Sequence, residues 1–220
     1  MSGSSFKTDL FNQFARVGKA LSSAPRLEIL EFLAQGERSV DALAKVSHLT
    51  VANTSRHLQV LSQAGLVSGR KAGRHAFYTL ADESVVDLMT ALRTMAERQL
   101  AEVDRLVRDY LSVRDNLEPI PRTELMRRLR EGSVTVLDVR PPEEYQAGHL
   151  PEAHNIPLKQ LEAQLENLPK EHEVVAYCRG PYCILAFEAV ARLREKGFKA
   201  RRLEDGLPEW KRAGLPLANG

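Results

Sequence analysis

The sequence predicts a multidomain chain, mainly α in its first half and α/β with a parallel sheet in its second. Three observations carry that expectation. Helical periodicity dominates from Phe6 to Leu111, interrupted by a single short hairpin pattern. A stretch with Pro119 and Pro121 then breaks the periodicity. Beyond it, short apolar runs alternate with helical patterns, as in sheets covered by helices on both faces. The boundaries expected are a first domain over 1–112, a linker over 113–122 and a second domain over 123–220.

In the first half, Phe6, Leu10, Phe14, Val17 and Leu21 give one amphipathic helix. Pro25 opens a second, over about Arg26 to Gln35, which Gly36 closes. Ser39 is a candidate N-cap for a short helix over Val40 to Val46. After a turn at Ser47-His48-Leu49, Thr50 caps a further helix to about Gln63. Leu66 to Lys71 and Ala76 to Leu80 read as two strands around Ala72-Gly73-Arg74-His75. Helix, short turn, helix and a hairpin with a basic tip is a winged helix-turn-helix order. Charge agrees with it. No acidic residue occurs between Asp41 and Asp82, whereas Lys45, Arg56, Arg70, Lys71 and Arg74 do, with His57 and His75 among them. A surface that approaches phosphates requires such a balance.

Bulk composition excludes little else. The 220 residues are 43% hydrophobic and 27% charged, with a net charge of +2, an ordinary globular balance. No apolar run reaches bilayer length, and the first residues lack a signal peptide's basic and apolar regions. A cytoplasmic protein with no membrane partner is expected. The only two cysteines, Cys178 and Cys183, then suggest catalysis or sensing.

Arg26 to Leu80 resembles the ArsR-type family of bacterial repressors. The resemblance rests on Pro25-Arg26-Leu27-Glu28-Ile29-Leu30, on Leu43-Ala44, on the run from Thr54 to Val67 and on the wing from Arg70 to Tyr78. It implies that the helix from Thr50 enters a major groove, with Asn53, Thr54, Arg56 and His57 nearest double-stranded DNA. Arg70, Lys71, Arg74 and His75 would lie along the backbone or minor groove. Arginine and asparagine suit base edges, and hydroxyls and wing arginines suit phosphates. Many members of the family sense metals through a cysteine pair or through histidines in the last helix. Here Ser39-Val40-Asp41-Ala42-Leu43-Ala44 holds no cysteine and the last helix holds no histidine. No metal ligand set and no cofactor is expected.

That last helix is expected to run unbroken from near Asp82 to Leu111, about 45 Å at 1.5 Å per residue. Its apolar positions include Val85, Leu88, Leu92, Met95, Val103, Leu106 and Tyr110. The resemblance implies a homodimer through the first and last helices, which suits an inverted-repeat operator read in successive grooves.

In the second half, Thr123 to Arg130 is a helix and Val134 to Val139 a strand. Leu158 to Leu168 follows as a helix, then a strand over Glu173 to Tyr177 and a helix over Ile184 to Lys196. A strand over Lys199 to Leu203 and a closing helix near Glu209 complete the pattern. Tyr177-Cys178-Arg179-Gly180-Pro181-Tyr182-Cys183 therefore joins a strand to a helix. Backbone N–H groups of such a turn and the positive helix end stabilise anions, and a cysteine there gains thiolate character. Gly180 and Pro181 argue for a loop, and Arg179 for exposure.

Pro121 to Leu217 resembles a rhodanese domain. The matching pieces are Leu137-Asp138-Val139-Arg140, Glu143-Glu144-Tyr145, the run from Gly148 to Pro157, the Cys178 loop and Gly206-Leu207-Pro208-Glu209-Trp210. The resemblance implies that Cys178 carries sulfane sulfur as a persulfide, taken from thiosulfate or a low-molecular-weight persulfide. His149 and His154 fall in structural motifs of that family, and Trp210 is expected in the core. The chain departs from the family at Cys183, where many members have arginine. That removes a cation for an anionic donor, which Arg179 is expected to replace in part, and supplies a second thiol. A persulfide on Cys178 attacked by Cys183 gives a disulfide, or the sulfur is held between the two as a bridged polysulfide. The leading reading is a DNA-binding repressor that senses reactive sulfur at Cys178 and Cys183. The alternatives are a sulfurtransferase, with weak rhodanese-type activity and an autoregulatory DNA-binding half, and a thiol–disulfide redox sensor.

Overall fold

The computed structural model describes residues 3–112, 115 and 117–219, and the chain divides into a unit over 1–89 and a unit over 90–220. In the first unit, α1 (Gly3–Leu21), α2 (Ala24–Leu33), the two-residue β1 (Arg38–Ser39), α3 (Val40–Val46) and α4 (Val51–Gln63) precede a hairpin of β2 (Val67–Ala72) and β3 (His75–Leu80). Two caps fix the helix-turn-helix. The Ser39 hydroxyl accepts from Ala42 N, and the Thr50 hydroxyl accepts from Asn53 N at 3.2 Å. Each satisfies a donor that the first turn of a helix leaves unpaired. Between the helices His48 takes a left-handed φ of 54°, a conformation that histidine adopts more readily than branched residues.

The sheet order is β1-β3-β2, all antiparallel. Ala72 pairs with His75 across the two-residue loop Gly73-Arg74, and Gly73 has φ 60°. Glycine in the first central position is what this tight hairpin turn requires, because a Cβ would be strained there. The short strand β1 carries no pattern of its own in the sequence. Ile29, Leu30, Leu33, Leu43, Leu58 and Leu61 are almost wholly buried and fill the core of this unit.

Helix α5 (Ser84–Gln99) spans the division between the two units. The unbroken last helix expected from Asp82 to Leu111 is corrected here. Leu100 leaves helical geometry at φ −111° and ψ 104°, α6 (Ala101–Val107) restarts, and a π turn over Arg108–Ser112 ends the segment. No proline or glycine marks the break. The last turns of α5 are instead held by tertiary bonds, Arg93 to Glu209 at 3.0 Å and Tyr182 to Glu97 at 2.7 Å, and such packing overrides helix propensity.

The second unit continues with α7 (Arg122–Arg130), β4 (Val134–Asp138), α8 (Pro142–Gln146), β5 (His154–Asn155), α9 (Leu161–Gln164), β6 (Glu173–Tyr177), α10 (Ile184–Glu195), β7 (Ala200–Arg202) and α11 (Leu207–Arg212). Its sheet is parallel, in the order β5-β4-β6-β7. The helix expected over Leu158 to Leu168 is a single α turn, α9, between two 3₁₀ turns. Strand alternation sorts two cores. Val174, Ala176 and Cys178 point to the face covered by Ala186, Ala189, Val190 and Leu193 of α10. Val175 and Tyr177 point to the other, with Ile120, Leu125 and Trp210.

The expected linker is not a free spacer. Val113, Arg114 and Asn116 lie outside the described residues, but Asp115 is buried and bonds Arg194 Nη1 at 2.8 Å and Arg202 Nε at 2.6 Å. Ile120 forms a parallel bridge with Leu203, extending the sheet beyond β7.

Candidate DNA interface and thiol site

Of the residues expected at DNA, Thr50, the N-cap of α4, and Asn53 and Arg56 on α4 are exposed, and His57 is half-buried. Burial first, then the guanidiniums of Arg26 and Arg56, hold the His57 imidazole below its usual range. Its neutral form is favoured, suited to hydrogen bonding more than to charge. Thr54 corrects the expectation. It is fully buried, and its hydroxyl donates to the Thr50 carbonyl at 3.0 Å, so it serves the packing of α4 and not its outer surface. Helical periodicity explains this, because Thr54 shares the inward face with Leu58 and Leu61.

On the hairpin, Arg70, Lys71, Arg74 and His75 are all exposed. The window free of acids in sequence is not free of them in space. Glu37 pairs with Arg70 through both carboxylate oxygens, which lowers the Glu37 pKa and raises that of Arg70. Asp41 lies 3.5 Å from His75 Nδ1. Arg70 also stacks over the Phe77 ring at 4.9 Å. A phosphate approaching Arg70 must compete with Glu37, whereas Lys71 and Arg74 extend the basic surface.

The thiol loop begins where β6 ends. Cys178 and Cys183 are joined as a disulfide, their Cα atoms 6.1 Å apart. Cys178 is 1% exposed, and Cys183 is partly exposed as the residue that precedes α10. Cys183 N donates to the Gly180 carbonyl at 3.1 Å, closing the loop around Gly180, Pro181 and Tyr182. Below the loop, Leu207 N donates to the Cys178 carbonyl at 3.3 Å. Gly206 lies so near that a Cβ there would fall on the Arg179 carbonyl, so only glycine lets α11 approach the loop this closely.

Three buried polar groups set the loop's position. Arg140 and Asp138 are both fully buried, with Nη2 to Oδ2 at 2.6 Å, and Arg140 Nη2 also donates to the Gly148 carbonyl at 2.9 Å. Tyr177, which precedes Cys178, donates its phenol proton to Asp138 and accepts from Leu150 N at 3.1 Å. Burial, more than the Asp138 charge, pushes the Tyr177 phenol far up. It stays a donor at every physiological pH, as a buried network of this kind requires.

Arg179 is not the exposed cation expected. Its side chain is only 15% exposed, and Nε and Nη2 grip the buried Glu144 at 2.9 and 2.7 Å. Much of its charge is neutralised by that carboxylate, so it does not replace the cation missing at position 183. Tyr182, in contrast, is exposed and donates to Glu97. His149 stacks on Tyr145 with ring centroids 3.6 Å apart, and its Nδ1 lies 3.0 Å from the Tyr145 carbonyl. Trp210 is fully buried and donates to the Pro216 carbonyl at 2.9 Å. Sequence reasoning missed Glu144 and Glu97 as loop partners. Glu144 carries one signal, a carboxylate placed next to Tyr145 in a motif it shares with core residues; Glu97 carries none. Among the described residues no group of histidine, cysteine and carboxylate side chains is placed to hold a metal ion, and no helix is long and apolar enough to cross a membrane.

Comparison with known proteins agrees with both halves. The model for the bacterial regulatory protein arsR family matches residues 24–68, and that for the rhodanese-like domain matches residues 121–213. The HTH-type transcriptional regulator Rv0324 of Mycobacterium tuberculosis is 44% identical over 214 residues, 97% of this chain and 94% of that protein. A protein of Allochromatium vinosum named sulfurtransferase is 32% identical over 85 residues, covering 38% of this chain and 78% of its own length. A Mycobacterium bovis fragment, solved as a homodimeric winged helix-turn-helix DNA-binding domain, is 41% identical, covers 43% of this chain and 87% of its own, and superposes with a TM-score of 0.40.

Proposed function

Because the chain belongs to the ArsR-family helix-turn-helix transcriptional regulators and carries a C-terminal rhodanese domain, we propose that it is a cytoplasmic repressor switched by reactive sulfur at Cys178 and Cys183. The observation that carries this reading is the joining of Cys178 to Cys183 across one short loop, with Cys178 buried and Cys183 partly exposed. The chemistry runs in two steps. The Cys178 thiolate takes the outer sulfur of a low-molecular-weight persulfide and releases the corresponding thiol. The Cys183 thiolate then attacks Cys178 Sγ, expelling hydrosulfide and leaving the disulfide. No further oxidant is needed.

DNA binding is assigned to Asn53, Arg56 and His57 on α4, to the Thr50 end of that helix, and to Arg70, Lys71, Arg74 and His75 on the hairpin. The repressor acts as a homodimer on an inverted-repeat operator. Phe6, Phe11 and Phe14 on α1 and Leu92 and Met95 on α5 support this, because all are exposed apolar side chains that a partner would cover. Modification changes operator affinity only insofar as the linked and unlinked forms bind DNA differently.

Intact-protein mass measurement after persulfide treatment, with operator binding of the same sample, tests the proposal. Wild type is expected to lose a hydrogen pair as the disulfide forms and to change its DNA affinity. Cys183→Ser is expected to retain one added sulfur, and Cys178→Ser none. Modification without any change in affinity overturns the switch. It would leave the second reading, a tethered sulfurtransferase, which the likeness to the Allochromatium vinosum protein favours. Equal response to peroxide and persulfide would favour a general thiol redox sensor instead.

A further inference from the structure

Strand alternation sorts the side chains of the hairpin onto two faces. Ala76, Tyr78 and Leu80 of β3 pack against the core of the first unit, so His75 and Phe77 face away from it. Arg70 of β2 stands directly opposite Phe77 and shares that outer face. There Glu37 accepts from Arg70 Nε at 2.7 Å and from Nη2, and the guanidinium lies over the Phe77 ring, 4.9 Å from its centre. The Arg70 side chain is 57% exposed, which leaves its free end open to a ligand. Exposed ion pairs contribute little to stability, so the consequence of this one is geometric.

Glu37 takes the edge of the guanidinium formed by Nε and Nη2. The end formed by Nη1 and the outer N–H of Nη2 takes part in neither bond and directs its donors away from the carboxylate, as a second fork. Charge and geometry then separate two kinds of DNA contact. A phosphate is drawn by net positive charge, which Glu37 cancels at short range. A base edge offers neutral acceptors and rewards donors held in a fixed plane. The carboxylate and the ring fix that plane, so little side-chain freedom is left to lose on binding. Among the described residues no carboxylate pairs with Lys71 or Arg74, whose charge stays available to phosphates.

We propose that Glu37 is a positioning residue for operator recognition: with Phe77 it aims the free fork of Arg70 at acceptors on a base edge, so that Arg70 discriminates sequence while Lys71 and Arg74 bind phosphates. This rests on the DNA-binding reading of the first unit and adds to it which hairpin residue tells one sequence from another. Both grooves offer suitable acceptors, guanine O6 and N7 in the major and adenine N3 or thymine O2 in the minor. The base pairs at which selectivity relaxes when the fork is removed identify the groove.

The test selects preferred duplexes from a randomised pool with full-length wild type, reduced and disulfide-linked in parallel, so that the sulfur state does not decide the outcome. Affinities for the selected duplex and for an unrelated one are then measured against salt concentration for wild type, Arg70→Lys and Glu37→Gln. Arg70→Lys keeps the charge and loses the fork. It is expected to lower the ratio of specific to non-specific affinity about tenfold with an unchanged salt slope. Glu37→Gln keeps the size and removes the charge. It is expected to strengthen binding to the unrelated duplex, to steepen the slope by about 1 as Arg70 turns to a phosphate, and to lower the same ratio about fivefold. Both substitutions are at the surface, so denaturant unfolding is expected to be unchanged. A ratio preserved within about twofold in Arg70→Lys makes Arg70 a phosphate contact and overturns the proposal. So does Glu37→Gln strengthening both duplexes equally, which would make Glu37 only a brake on affinity. If wild type selects no duplex at all, the DNA-binding reading falls and the proposal with it.

Discussion

Arg179 and Glu144 form a bidentate pair, Nε at 2.9 Å and Nη2 at 2.7 Å from the carboxylate, directly beside the disulfide loop. Glu144 is 1% exposed, so the residue next to Cys178 is anchored to the interior instead of facing an incoming anion. Removing one partner of a buried pair leaves the other uncompensated, at a cost of several kcal/mol when both are buried. Glu144→Gln is therefore expected to cost about 2 kcal/mol, less than a fully buried pair because Arg179 reaches some solvent. Denaturant unfolding measures the loss. The same variant is expected to raise thiosulfate turnover, because it releases the Arg179 charge.

Tyr182 provides a pH signature. Burial, then its bond to Glu97, pushes its phenol from 10.0 up to about 12. The neutral form is favoured in the folded state, so this contribution is complete below pH 10 and is lost as pH rises through about 12. Absorbance titration of wild type is expected to show a tyrosine step near pH 12 from Tyr182, with Tyr177 ionising later still. Tyr182→Phe should lack that step and lose less stability between those two pH values.

Asp115 holds two arginines, Arg194 and Arg202, the second of which stacks on the Phe187 ring at 3.7 Å. Asp115→Asn is expected to destabilise the second unit by about 3 kcal/mol, the range for breaking a buried pair. Guanidinium unfolding followed by Trp210 fluorescence would report it, because the indole is fully buried in that unit.

On the DNA-binding side, Thr54→Val and Arg74→Ala are expected to separate folding from recognition. Thr54→Val removes a buried hydrogen bond and costs about 1 kcal/mol without altering the salt dependence of operator binding. Arg74→Ala keeps stability and reduces the slope of log affinity against log salt by about 1, as loss of one phosphate contact does. Titration at several salt concentrations distinguishes them.

The helix starts were legible in the sequence because Ser39 and Thr50 are side-chain caps, a local device with a local signature. Strand β6 and the position of Cys178 at its end were legible for the same reason, a short apolar run meeting a glycine–proline turn. What escaped was long-range. The break at Leu100, the reach of Glu37 and Asp41 to the hairpin, and the hold of Glu144 on Arg179 all join residues far apart in sequence. Thr54 was misplaced for a different reason: its residue type suits DNA, but its position on the helical wheel points it inward.

The Ile120–Leu203 bridge bears on how the C-terminal half is to be produced alone. An expression fragment begun at Thr123 would omit the backbone that caps the outer edge beyond β7, and would leave Arg194 and Arg202 without Asp115. Bare strand edges template aggregation. A fragment begun ahead of Asp115 retains both the edge and the ion pairs, and is the better starting point for crystallisation or assay.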